Sequence, residues 1–538
     1  MERDMEPPAD LARREARVEL AGGVVAEDGS VVPNCPSVPD DELRKLYPEG
    51  LELQLVQILM RHGERTPVSA RFQNAGLRAW WPYCSSARQM RSAILAAAHT
   101  SNNHPFDTLE WTRRLETFGD NDEPVVARGP DGQLDNICDM GSLTDLGRQS
   151  TFKLGLRLRQ LYVDQLKFLP STINSADFIY LRATPVPRAL ESLHQTFSAL
   201  YPPSAREPGP DGKFPSPTIL SRAPPDETLY PNDTNCRRFA ALSRAFAQRA
   251  ADRWNNTPDM EYLDKLYTKW MPADTKVAVD SRPRLSGIMD TVNATLAHGP
   301  ETKLPSDFYD EKGREIMEKI SVEEWFAGFS ESNEYRMLGI GGLLADVVGR
   351  MVGSAEQQNS ADAAHTLLKR SGQEDNSARI RFGLSGCHDT TLAGVLASLG
   401  AYDTSRWPPF TSHIAIELFR EGKIAPPSQE VAKASWWPSL FGRAAPPVNI
   451  GRRPTEELTA AEKNKMDGYY VRMRYNDEPV TIPACKLPGN HLEGDETFCT
   501  LAAFKSVVDK FTPTNWKQQC RMNRNEPALP SEPEPAGY

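Results

Sequence analysis

Residues 51–60, Leu-Glu-Leu-Gln-Leu-Val-Gln-Ile-Leu-Met, begin by alternating apolar and polar positions and end as an almost continuous apolar run. That pattern predicts a strand buried in a parallel sheet. It stops abruptly at Arg61-His62-Gly63. Further strands are predicted at 177–181, 380–384, 413–419 and 469–475. Helical spacing dominates between them. After Thr144, Leu146, Leu154, Leu158 and Leu161 fall near one face of a long helix. Leu190, Leu193, Phe197 and Leu200 mark a second helix, ended by Pro202-Pro203, and Leu392, Val395, Leu396 and Leu399 mark a third. Strand, polar motif, helix thus recurs three times. The pattern predicts an α/β fold, an open and mostly parallel sheet flanked by helices. Ligands of such sheets sit beyond the carboxyl ends of the strands, where all three polar motifs fall.

Composition narrows the function classes. The 538 residues carry 62 Lys and Arg against 72 Asp and Glu, a net charge of -10, which argues against a nucleic-acid partner. No uninterrupted apolar run reaches the roughly 18–20 residues of a transmembrane segment. The N-terminus, Met-Glu-Arg-Asp-Met-Glu, has acids where signal and transit peptides avoid them, so neither is expected. The 44 prolines gather at 202–218 and 426–454, and the polar stretch 354–378 reads as a connection. None of the eight cysteines forms a Cys-x-x-Cys pair, so no metal site is expected, and scattered buried thiols are the plain reading. Sequons at Asn232, Asn255 and Asn293 carry little weight without a secretion signal.

The chemistry lies in the three motifs. In Arg61-His62-Gly63-Glu64-Arg65-Thr66-Pro67, two guanidinium forks suited to phosphate flank an imidazole that can act as a nucleophile when neutral. Gly63 allows the sharp turn that would converge both arginines. In LRATPVPRALES, Pro187 opens a helix and sets Arg188 near an anion-attracting N-terminus, while Arg182 reads equally well as a loop brace. In SGCHDTT, His388-Asp389 suits acid–base work, against the plainer reading of Asp389 as an N-cap. Together they suggest arginines neutralising a phosphate, His62 attacking phosphorus and Asp389 protonating the leaving group, with no cofactor. A Gly339-Ile340-Gly341-Gly342 run lacks P-loop and dinucleotide-fold spacing and reads as close helix packing.

These residues resemble a known family. RHGERTP is similar to the RHGxRxP signature of the histidine acid phosphatases, SGCHDTT to their second signature, and GSLTDLGRQ at 141–149 to their Gly-x-Leu-Thr-x-x-Gly segment. The resemblance implies a histidine phosphatase / phosphoglycerate mutase-like three-layer fold with a smaller helical cap. It implies His62 as nucleophile, Asp389 as proton donor, and Arg61, Arg65, Arg188 and His388 as phosphate contacts. It divides the chain into a polar extension at 1–46, core at 47–203, cap at 204–334, and core at 335–538 with a Pro-rich insertion at 421–465. FIYLRATPVPRALES, TLYPNDTNC and LASLGAYDTSRWPPF look most like the lysophosphatidic acid phosphatase branch, which implies a lysophosphatidate-type or other small phosphomonoester. A phytase-like or sugar-phosphate enzyme is the sibling reading, and a phospho-ligand-binding pseudoenzyme the reading of another class. The family pattern also implies disulfides Cys236–Cys520 and Cys485–Cys499. A cytoplasmic or mitochondrial address follows from the resemblance, a secretory one if the disulfides form. Trp80-Trp81 and 436–441 are candidates for an apolar groove or a peripheral membrane contact. The oligomeric state is left open.

Overall fold

The computed structural model describes residues 24–25, 31–32, 37–86, 114–119, 121–127, 137–210, 212–273, 275–368, 380–402, 406–422 and 450–538. At its centre is a nine-stranded sheet. The strands are β1 (Leu51–Arg61), β2 (Ile179–Ala183), β3 (Ile219–Leu220), β4 (Phe382–Cys387), β5 (His413–Glu421), β6 (Tyr469–Tyr475), β7 (Glu478–Val480), β8 (His491–Leu492) and β9 (Asp495–Thr500). Their order is β8-β9-β6-β5-β1-β4-β2-β3, with β7 paired to β6. The sheet is mixed. The strands that lead into the motifs, β1, β4 and β2, are mutually parallel and β3 extends them. β5 lies antiparallel against β1, and β6, β9 and β8 continue that way.

The pleat of β1 explains the layers. Val56, Ile58 and Met60 point to one side, against Leu154 and Leu158 of α1 (Asp145–Arg159) and Leu193 and Phe197 of α2 (Pro187–Leu200). Leu55 and Leu59 point to the other, against Leu343 and Val347 and against Leu392 and Leu396. These belong to α7 (Gly342–Leu368) and α8 (Asp389–Ser398). Strand α/β packing of this kind leaves both sheet faces dry, which is why β1 and β4 are so apolar. A third cluster joins Phe72, Leu77 and Trp81 to the apolar sides of α3 (Arg237–Trp254), α4 (Pro258–Tyr267), α5 (Leu285–Ala297) and α6 (Glu311–Glu331).

Several expectations need correction. Leu146 and Leu190 lie on the outer surface of α1 and α2. The facing sides of those helices are made of small residues instead: a Cβ on Gly155 would lie 2.2 Å from the Thr196 carbonyl oxygen. Backbone proximity, not leucine, sets that seam. Residues 354–368 of the expected connection continue α7 as helix. The stretch Asn333–Gln357 is, among the described residues, one helix long and apolar enough to cross a membrane, but 67% of it is buried inside the protein. Its Gly339 does serve close packing, because a Cβ there would reach Phe239 and Phe329 at 2.8 Å. Trp81 is buried against Tyr83 and His298, so it presents nothing to a membrane. Residues 436–441 lie outside the described residues. Asn232 is buried and hydrogen-bonded to Pro224 O, which removes it as a glycan acceptor.

The cysteines are not scattered thiols. Cys236–Cys520 and Cys485–Cys499 are bonded as the family pattern implies, and Cys84–Cys138 forms a third pair that the sequence reading missed. Cys387 is free, buried, and held protonated by burial, its pKa pushed up to about 12. Cys236–Cys520 closes the longest loop, 284 residues, and ties the start of α3 to the C-terminal segment. Replacing both cysteines by serine is expected to cost about 2–5 kcal/mol, read as a lower midpoint in chemical denaturation, without loss of activity in the folded fraction.

Candidate active site

Strand register assembles the site. In the parallel ladder Arg61 stands opposite Cys387, and Ala183 opposite Gly386. The chain therefore leaves β1, β4 and β2 in step, and His62, His388 and Thr184 emerge side by side at one edge. The His62 and His388 rings lie 5.5 Å apart, and Thr184 Oγ1 is 3.1 Å from His388 Nε2. β5 contributes from the opposite direction. Met60 pairs with His413, so the residues just before β5 arrive at the same edge. The Thr411 N–H donates to His62 O at 3.2 Å and the Arg61 N–H to Ser412 O at 2.8 Å.

The segment 141–149 has a packing role. Thr144 caps α1 by accepting from the Gly147 N–H, and its own N–H donates to Glu64 O. The turn after His62 presses on that first helical turn. A Cβ on Gly63 would sit 2.3 Å from Gly147 O, and one on Gly147 would sit 2.1 Å from Glu64 O. Two glycines, one in each motif, are what let these backbones meet. The Gly63 N–H also donates to Ser192 Oγ of α2 at 3.1 Å.

His62 is almost fully buried, and its Nδ1 lies 2.9 Å from Gly63 O. A carbonyl only accepts, so Nδ1 carries the proton and Nε2 keeps its lone pair. Burial, followed by the charges of Arg188, Arg61 and Arg65, holds the ring's pKa well below the usual histidine value. His62 is thus held in its neutral form more firmly than an ordinary histidine. His388 is neutral for the same reasons, burial first and Arg188 next, at about 3.

Three guanidiniums surround these rings. Arg61 donates to the Pro408 carbonyl and pairs with Asp389 Oδ2 at 2.9 Å, and the Phe410 ring covers it at 4.1 Å. Arg65 donates to Thr66 O and pairs with Asp290 Oδ1 at 2.7 Å. Arg188, in the first turn of α2, reaches Gly141 O at 3.4 Å. Burial and the neighbouring Arg65 lower its pKa to about 10, so it stays charged in the acid and neutral range. All three leave a buried Nε without a partner. Asp389 follows His388, which is the N-cap of α8, so Asp389 is the first helical residue and not the cap. Burial raises its pKa, but Arg61 and the Trp407 N–H outweigh that and bring it down to about 2.

All six expected residues, Arg61, His62, Arg65, Arg188, His388 and Asp389, therefore meet at one edge of the sheet. Arg182 does not join them. It points away and is buried against Glu227 at 2.5 Å and Thr228 at 3.1 Å. Asp290, Trp407 and Phe410 were missed. Asp290 is on a distant helix with no motif around it, and the two aromatics precede β5 in a loop whose partner β1 only the fold reveals. Arg188→Ala is expected to lower kcat/KM about 10²–10³-fold with little change in stability. Arg182→Ala should instead strand a buried Glu227 and cost about 3–5 kcal/mol of stability. Denaturation curves beside kinetics on the folded fraction separate the two.

Known proteins resemble this chain over most of its length. The family model for the histidine phosphatase superfamily, branch 2, matches residues 52–476. A probable acid phosphatase of Schizosaccharomyces pombe is 34% identical over 88% of this chain and 95% of its own length. Human lysophosphatidic acid phosphatase type 6 is 24% identical over 73% of this chain and 77% of its own. The apo Hafnia alvei phytase structure aligns over 88% of this chain and 99% of its own, at 12% identity and a TM-score of 0.48, too distant to bear on substrate. With four-fifths of its length inside the family model and all the motif residues gathered at one sheet edge, the chain belongs to the histidine phosphatase superfamily, branch 2, as a histidine acid phosphatase.

Proposed function

We propose that the protein hydrolyses a small phosphomonoester through a phosphohistidine on His62, with a lysophosphatidate-type substrate as the leading case. The observation that carries the mechanism is a neutral imidazole with a free Nε2 facing three arginines. A phosphate held by Arg61, Arg65, Arg188 and His388 would present phosphorus to Nε2. The N–P bond forms as the P–O bond to the leaving group breaks, and Asp389 gives that oxygen its proton. Ionised Asp389 then takes a proton from water, which attacks phosphorus and releases phosphate and free His62.

Substrate size follows from charge. Asp290 stands against Arg65, with Arg71 3.8 Å away, so the rim of the phosphate clamp carries a carboxylate. Asp290 offsets part of the positive charge of Arg65 and Arg71, which leaves less attraction for the further phosphates of a polyphosphorylated inositol. The human relative, named a lysophosphatidic acid phosphatase, supports lysophosphatidate among monophosphates. Three disulfides support maturation in an oxidising compartment. A panel of lysophosphatidate, glycerol phosphate, sugar phosphates and phytate at acidic pH tests the substrate. Best turnover of phytate would overturn this choice. Denaturing the enzyme in mid-turnover should trap an acid-labile, alkali-stable phosphoryl group on His62.

A further inference from the structure

Among the described residues, Trp407 is the one neutral side chain bonded to Asp389, the proposed catalytic acid. It sits in the Arg-Trp-Pro-Pro-Phe run at 406–410, which the family motifs leave unexplained. Its Nε1–H donates to Asp389 Oδ2 at 2.9 Å. Arg61 forms an ion pair with the same oxygen at 2.9 Å, and its positive charge disfavours a proton there. Oδ1 accepts only the Thr390 N–H, at 2.8 Å, and keeps one lone pair open. The indole has no acceptor and cannot reverse its bond, so it fixes which oxygen can carry a proton.

The loop around Trp407 is held from outside the site. Its backbone N–H donates to Glu318 Oε1 of α6 at 2.7 Å, and its ring packs on Phe326 of the same helix at 4.7 Å. On the other side the loop grips Arg61, through the Pro408 carbonyl and the Phe410 ring. One short segment therefore spans from α6 to the acid and to an arginine beside the nucleophile.

We infer that Trp407 is a positioning residue that directs Asp389 Oδ1 at the leaving-group oxygen, and that Glu318 sets Trp407 from α6. The inference rests on Asp389 being the proton donor. With a phosphate bound, Arg61 still lies beside Oδ2 and Trp407 still holds that oxygen as an acceptor. The proton then leaves Oδ1 for the departing alkoxide as the P–O bond breaks, and Asp389 is left as a carboxylate stabilised by the indole.

The test compares leaving groups. Trp407→Phe keeps an aromatic ring against Phe326 but removes the donor. Its kcat/KM for glycerol phosphate, a poor leaving group, should fall about tenfold or more, and for p-nitrophenyl phosphate by less than about threefold. Inhibition by inorganic phosphate should be unchanged, which shows that the clamp survives. Glu318→Ala should give a weaker form of the same split, and Glu318→Gln, which retains an acceptor oxygen, should restore it. Equal losses on both substrates would mean a merely structural role and overturn the inference, as would no loss on glycerol phosphate. If Asp389→Asn itself shows no leaving-group dependence, the donor assignment fails first, and this outcome is distinct from failure at Trp407 alone.

Discussion

His62→Ala should lose about 10⁴-fold or more of hydrolysis while still binding inorganic phosphate within a fewfold of the parent protein. The two halves of this expectation come from different groups. The alanine removes the imidazole whose Nε2 lone pair is left open by the bond from Nδ1 to Gly63 O. It leaves Arg61, Arg65 and Arg188, whose ion pairs and backbone contacts do not pass through His62. A neutral ring adds no charge to the clamp, so its removal leaves the guanidiniums' attraction for an anion in place. His388→Ala should cost less, because its Nε2 is already engaged by Thr184 and the role proposed for it is only a phosphate contact. Steady-state rates on p-nitrophenyl phosphate and calorimetric titration with phosphate measure both halves. Hydrolysis by His62→Ala near the parent rate would remove the nucleophile assignment. Loss of phosphate binding together with hydrolysis would show that the ring, and not the arginines, organises the clamp.

The legible part of this site was the part encoded next to strand ends. Arg61-His62, Thr184 and His388-Asp389 each follow a run of apolar residues, and a parallel sheet puts such positions together by register. The strands expected from the apolar runs end slightly early, at 60, 181 and 384. In fact Arg61, Ala183 and Cys387 still pair within the ladder. What the sequence hides is contact between elements with no local periodicity in common. Asp290 meets Arg65 across more than two hundred residues, and Glu318 meets Trp407 between two regions that show only amphipathic or turn-like patterns. The leucines misplaced on α1 and α2 show the same limit. Helical spacing marks two apolar sides equally well, and the choice is made by Gly147 and Gly155, whose missing side chains leave no signal of direction.

Asp389→Asn should separate the two halves of the reaction. An amide cannot give up a proton as a carboxylic acid does, so glycerol phosphate should lose about 10²–10⁴-fold in kcat/KM. A nitrophenolate leaves without protonation, and phosphorylation of His62 by p-nitrophenyl phosphate should survive. The second step then lacks its base, so nitrophenolate should appear as a burst equal to the enzyme present, followed by slow turnover. The pH profile of the parent protein tests the same residue from another direction. In the free protein Asp389 is drawn down to about 2 by Arg61 and the Trp407 N–H against the effect of burial, so it is ionised at any working pH. It cannot supply a proton it does not hold. The proton must arrive with the substrate, as the phosphate monoanion, and move to Asp389 once the bound phosphate engages Arg61 and adds negative charge beside the carboxylate. His62 stays neutral further to the acid side than an ordinary histidine, because its pKa lies well below the usual histidine value. The alkaline limb of kcat/KM is therefore expected near the second phosphate pKa of the substrate, about 6, and should move when that pKa is changed. A limb that stays fixed across substrates of different phosphate pKa would assign it to a group on the protein and would end the proton-delivery account.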